Sequence, residues 1–287
     1  AIQMATLNTA QHFGVEKEIG SITPGRYADV IISSDLTALP VEMVIAAGNV
    51  VAENGRIAID IPPYNYPDFA KNTIKLGKRL ASTDFDIAIP DKFTTSATSI
   101  KARVIGVIEN QAPTRALTCE LPIQSGLVQM DLSQDVCQIA LVERHRATGS
   151  VTNGFVQGFG FNVPCAVATT VAHDSHHMIV VGTDKAMMAQ AANRLGEVGG
   201  GVVVYKDGTE IALVELPIAG LMSNERAEIV AGKAARMVEA MGECGCHLNN
   251  AYMQLSLLAL VVIPELRISD LGLVDVTQFA QVPLFLE

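Results

Sequence analysis

Apolar positions recur at two different periods along the chain, and the change of period divides it. In "AIQMATLNTAQHFGV", Ile2, Ala5, Leu7, Ala10 and Phe13 follow helical spacing, and the run stops at Gly14. No capping residue precedes it, so Ala1 is expected inside a helix that begins earlier in a longer polypeptide. "ADVIISSD" and "VEMVIAAGNVV" then read as short strands, with turns expected at Pro24-Gly25, Gly48-Asn49 and Asn54-Gly55. Residues 61–95 break this pattern. "IPPYNYPDF" is rich in proline and tyrosine, "AKNTIKLGKRLA" has helical spacing, and "STDFDIAIPDKF" is polar. The segment is expected to be a connector and a domain boundary.

From residue 96 onward the pattern is that of strands: "KARVIGVIE", "ALTCELPIQ", "GLVQMD", "VCQIALVERH", "VTNGFVQGFGF", "CAVATTVAH" and "MIVVGTD". Two segments read as helices, "KAMMAQAANRLGEV" and "SNERAEIVAGKAARMVEAMGE". Between them "GGVVVYKDGTEIALVELP" predicts a hairpin turning at Asp207-Gly208. The apolar run "LSLLALVVIP" at 255–264 is about half of a bilayer span and is expected to be a buried helix. Strands followed by segregated helices predict an α+β fold with a largely antiparallel sheet.

Composition narrows the function classes. Hydrophobic residues make up 49% and mean hydropathy is +0.31, as in a folded globular protein. A net charge of −10, with no block of Lys or Arg to offset it, argues against a nucleic-acid partner. No basic segment followed by an apolar stretch opens the chain, and the five cysteines are scattered, so a cytoplasmic location is expected. Aromatic residues are only 5% and Trp is absent, which removes base or sugar stacking as a theme.

The densest candidate chemistry is "VAHDSHHMIVVGTD". His173, His176 and His177 are three of six histidines, and they surround Asp174 and Ser175 between two apolar runs. One reading is a hydrogen-bonded turn between strands. The other is a functional loop in which His173 or His176 moves protons and Asp174 fixes a tautomer, with Ser175 and His177 holding substrate. "GECGCHLNN" sets Cys244, Cys246 and His247 together, but structural zinc sites need four ligands at wider spacing, so a glycine-rich helix end is the simpler reading. "GFVQGFGF" and "EVGGGVVV" lack the dinucleotide fingerprint and the Walker lysine and read as tight turns. Met187, Met188, Met222 and Met253 read as core filler.

"MATLNTAQHFGVEKEIGSITPGRYADVIISSDL" resembles the end of an amidohydrolase-superfamily chain, where the last barrel helix enters a small β-sandwich; "VEMVIAAGNVVAENGRI" is similar to the strand pair that follows. "GFVQGFGF", "VAHDSHHMIVVGTD", "GGGVVVYKDG", "LPIAGLMS" and "ALVVIPELRISDLGLVDV" together resemble the C-terminal domain of bacterial adenine deaminases. The chain departs from that pattern at His177, where the family usually has an amide after A-H-D-S-H. The resemblance implies four parts: the last helix of a truncated barrel at 1–19, a β-sandwich segment at 20–60, the connector at 61–95 and the C-terminal α+β domain at 96–287.

It also implies a function. The parent polypeptide would be a metal-dependent hydrolase converting adenine to hypoxanthine and ammonia in purine salvage, as a cytoplasmic homo-oligomer. The superfamily reaction uses a His-x-His pair, a bridging acid, two further histidines and an Asp to hold a divalent metal (Mn, Fe or Zn). This sequence has no His-x-His, and it lacks the H-x-E…P-C-x-x-C signature of the other zinc deaminases. No metal ligand is therefore assigned in it. The metal is expected in an N-terminal barrel portion of the same polypeptide, and the chain alone is expected to be inactive. The catalytic candidates remain His173, Asp174 and His176, with Ser175 and His177 as substrate-binding candidates. The alternative is a non-catalytic assembly and stability domain of an amidohydrolase acting on another cyclic amidine or amide.

Overall fold

The computed structural model describes residues 1–90, 93 and 97–286. The chain divides into two compact units, Ala1–Asn65 and Tyr66–Glu287. The boundary expected at 95/96 falls at residues 94–96, outside the described residues.

The first unit opens with a π-helical turn, Met4–Asn8, that runs into α1 (Thr9–His12). Strands β1 (Val30–Ile32), β2 (Met43–Ala46), β3 (Asn49–Glu53) and β4 (Arg56–Ile57) form an antiparallel sheet in chain order. The β3–β4 turn is Asn54-Gly55, both left-handed, as expected. The β2–β3 turn is Ala47-Gly48, one residue earlier than the sequence suggested. The carboxylate of Asp29 accepts the Ala47 N–H at 2.7 Å and so holds this less usual residue in place. Ala10 is the buried apolar residue of this unit among those described.

The second unit carries β5 (Ser99–Val107), β6 (Thr114–Gln124), β7 (Leu127–Val128), β8 (Val136–Val142), β9 (Val151–Gln157), β10 (Cys165–Thr169) and β11 (Met178–Gly182). Helix α2 (Lys185–Val198), the hairpin β12 (Gly201–Lys206) and β13 (Thr209–Glu215), α3 (Ala227–Glu243) and α4 (Ala251–Leu257) follow, and β14 (Leu266–Ser269), β15 (Gly272–Asp275) and β16 (Ala280–Val282) close the unit. The strands make a nine-stranded sheet, ordered β13-β12-β10-β11-β8-β9-β5-β6-β7, and a three-stranded sheet, β14-β15-β16. In the large sheet β5 and β9 run parallel, while the other described pairs are antiparallel. The fold is α+β with open sheets.

Both faces of the large sheet are covered. Cys137, Ile139, Leu141, Val167, Ile179 and Val181 pack with α3, α4 and the small sheet. The alternate residues Ala140, Val142, Ala166, Ala168, Met178 and Val180 pack against α2 and against Leu80 and Phe85. Every residue of β8, β10 and β11 is buried. An antiparallel strand covered on both faces reads as an uninterrupted apolar run, and its period-two signal disappears. Helix α2 starts where the Asp184 carboxylate accepts the Met187 N–H at 2.8 Å, and ends at left-handed Gly199.

Two expectations fail. The helix expected in "AKNTIKLGKRLA" does not form, because Asn72 and Gly77 take left-handed conformations and the segment runs irregularly instead. Its apolar residues Ile74, Leu76 and Leu80 pack on α2, and the side-chain amide of Asn193 bonds both the N–H and the carbonyl of Leu80 at 2.9 Å. The run 255–264 is helical only to Leu257, and Val262 is 63% exposed. Pro264 restricts the residue before it, and the fully buried Arg267 donates to the carbonyls of Leu257 (3.0 Å) and Ile263 (2.7 Å), which fixes the turn. Among the described residues, no helix is long and apolar enough to cross a membrane.

Candidate functional site

Residues 170–177 connect β10 to β11, and both are interior strands: β10 also pairs with β12, and β11 with β8. The loop is therefore anchored at both ends in fully buried strands. Within it the His176 N–H donates to the Ala172 carbonyl (2.7 Å), closing a tight turn in which His176 is left-handed. The His173 N–H donates to the Ser256 carbonyl of α4 at 3.0 Å.

All five sequence candidates lie in this loop, but they differ in surroundings. His173 and His176 face each other edge to face, ring centroids 5.3 Å apart, and both are half-buried. His177 is 7% exposed, whereas Asp174 and Ser175 are exposed. Burial, reinforced by His173 and Arg144, lowers the pKa of His176 even though Asp174 acts in the other direction. Burial also lowers the pKa of His177, against the opposing charge of Asp270. Both imidazoles are thus biased toward the neutral form, which can accept a proton. The Nδ1 atoms of His176 and His177 are buried without a hydrogen-bond partner.

A carboxylate from outside the loop also faces an imidazole. Asp270, in the β14–β15 turn, lies 3.8 Å from Nε2 of His177, while Asp174 influences His176 through its charge alone. Three further residues, Glu143, Arg144 and His145, follow directly on β8 and lie beneath the loop. The Nε2–H of His145 donates to the Ser175 carbonyl (2.9 Å), which fixes its tautomer, and its ring lies 4.8 Å from that of His177. Arg144 is 2% exposed and donates through Nε to the His176 carbonyl and through Nη2 to the Ala219 carbonyl (3.2 Å). The buried Glu143 carboxylate accepts the backbone N–H groups of His145, Arg146 and Thr148 and the Thr148 hydroxyl. Burial alone would raise its pKa, but these donors hold it down at about 2. In the sequence pattern "VERH" is only the end of a strand. The available signal was four consecutive charged or ionisable residues, "ERHR", directly after an apolar run.

The other motifs are structural. Cys244 and Cys246 are buried in the core and His247 is exposed. Gly158 and Gly160 are left-handed turn residues. At Gly201 a Cβ would collide with the Val214 carbonyl oxygen, so that glycine serves close strand approach. Met187 and Met188 are core residues, whereas Met222 is 56% and Met253 39% exposed. A divalent metal does not fit the side chains present: among the described residues, no group of three or more His, Cys, Asp or Glu could hold one.

Two family models match the sequence. One, described as adenine deaminase C-terminal domain, covers residues 111–280, and the other, amidohydrolase family, covers residues 1–51. Adenine deaminase 3 of Rhizobium meliloti is 69% identical over 279 residues, 97% of this chain and 46% of that protein. An adenine deaminase of Ruegeria pomeroyi is 65% identical over 285 residues, 99% of this chain and 47% of its own length. A more distant one, from Rubrobacter xylanophilus, is 45% identical over 277 residues, 96% of this chain and 45% of that protein. The chain spans about half the length of the curated relatives it matches.

Proposed function

Because the chain belongs to the adenine deaminase C-terminal domain family, we propose that it serves the hydrolytic deamination of adenine to hypoxanthine and ammonia, as one portion of a longer purine-salvage enzyme. The observation that carries this reading is the loop 173–177, where two half-buried imidazoles and one buried imidazole, two of them with a free nitrogen, stand at the ends of rigid interior strands. Deamination moves protons from the attacking water to the leaving amino group. A neutral imidazole carries protons at neutral pH without a large shift of its pKa. In this reading His173 and His176 move the proton, Asp174 adjusts His176 by its charge, and Ser175 and His177 contact the substrate.

The divalent metal that amidohydrolases use (Mn, Fe or Zn) would activate the water. We place it in the portion of the relatives' length that this chain does not span, since no donor set among the described residues fits it. The five free cysteines are consistent with a cytoplasmic setting, and the exposed apolar residues of Ala1–Asn65, such as Ile22 at 85%, with a larger assembly that includes other copies.

The test is replacement of His173, Asp174 or His176 by Ala in the polypeptide of the relatives' full length. We expect kcat/KM for adenine to fall roughly 100-fold or more, with metal content unchanged. If all three variants keep wild-type turnover, the loop is a structural turn and the domain is an assembly module.

A further inference from the structure

We propose that Arg144 is a positioning residue for deamination, a buried guanidinium that clamps the catalytic loop by holding the His176 and Ala219 carbonyls together. The proposal rests on the functional reading of residues 173–177 given above.

Arg144 is 2% exposed, and among the described residues no carboxylate pairs with it. Burying a cation without a counter-charge is costly, and an apolar side chain of similar volume would fill the same space more cheaply. Its acceptors show what the charge does. One is the carbonyl of left-handed His176, the residue whose backbone direction sets where the imidazoles of His176 and His177 point. The other belongs to Ala219, itself left-handed, in a separate loop. Neighbouring Gly220 is built around the guanidinium: a Cβ there would lie 2.8 Å from Nη1. The Gly220 carbonyl accepts the Thr170 hydroxyl at 2.6 Å, so the same clamp reaches the start of the 170–177 loop. The Lys75 N–H donates to the Arg144 carbonyl (2.8 Å), fixing the residue from a fourth segment.

The charge has a second effect. His176 is surrounded by His173, Asp174, His145 and Arg144, and His177 by Asp270, Glu143, His145 and Arg144. In both sets the guanidinium opposes protonation, which keeps the imidazoles available as proton acceptors. Removing it leaves Asp174, Asp270 and Glu143 to favour the charged form. The acidic limb of the rate profile then moves to higher pH.

The experiment compares R144M and R144K with H176A in the full-length, metal-loaded enzyme, measuring kcat, KM and the pH profile with adenine. We expect R144M to lower kcat roughly tenfold or more with little change in KM, and to move the acidic limb upward. R144K keeps the charge but lacks the planar fork whose separate Nε and Nη2 reach the two carbonyls. It should retain the wild-type limb while losing part of kcat, and it decides the question even if R144M does not fold. A wild-type kcat in R144K or R144M, or a lowered kcat in R144M with an unmoved limb, overturns the proposal. Wild-type turnover in H176A instead sinks the underlying reading of the loop, a result distinct from failure at Arg144 alone.

Discussion

Glu143 is a buried carboxylate kept ionised by four donors, and its effect on stability has a defined sign. Its pKa is about 2 in the fold against the usual 4.5, a difference worth about 3 kcal/mol. Because the folded value is the lower one, the stabilisation is complete above pH 4.5 and is lost as the pH falls toward 2. E143Q should therefore be less stable at pH 7 by roughly 2 kcal/mol and should depend less on pH between 4.5 and 2. Urea unfolding of both proteins at pH 7, 4 and 3 checks this; parallel losses on acidification would show that Glu143 is not the group responsible. The sequence made the 173–177 cluster legible because it is contiguous. It hid Glu143, Arg144 and Asp270, which meet the loop only through the pairing of β8 with β11 and through the packing of the small sheet. No local pattern records such contacts.

Asn193 joins two elements, and its removal should separate them. Its amide satisfies both backbone groups of Leu80 from within α2, and Leu80 and Phe85 close one face of the sheet. N193A leaves a buried N–H and carbonyl without partners, at a cost of roughly 2–3 kcal/mol. Thermal or urea unfolding reads the loss, and faster hydrogen exchange at the Leu80 amide localises it. Unchanged exchange there would mean that packing alone holds the segment. This segment also shows where sequence pattern reaches its limit. Helix α2 was legible over its whole length because its apolar stripe agrees with the Asp184 cap and the Gly199 stop. "AKNTIKLGKRLA" has similar spacing, but Asn72 and Gly77 adopt positive φ and its backbone groups find partners on Arg144 and Asn193. Tertiary contacts there override a periodicity that, alone, favours helix. Likewise "LSLLALVVIP" offers apolar residues without a stop signal until Pro264, and the buried Arg267 that ends the helix comes later in the chain.

The two units differ in how they are held. Ala1–Asn65 buries little apolar surface, whereas Tyr66–Glu287 has a sheet covered on both faces. The chain expressed as given should fold at least in its second unit, hold no stoichiometric divalent metal and leave adenine unchanged. Elemental analysis together with an ammonia-release assay tests this, and a tightly held metal or measurable turnover would refute it. The interior position of β10 and β11 has a kinetic consequence. Each is hydrogen-bonded on both sides, so the loop between them cannot detach as an edge strand or a hinged flap can. The two ends of the loop are released only when the sheet itself comes apart, so the anchorage of the imidazole cluster lasts as long as the domain stays folded.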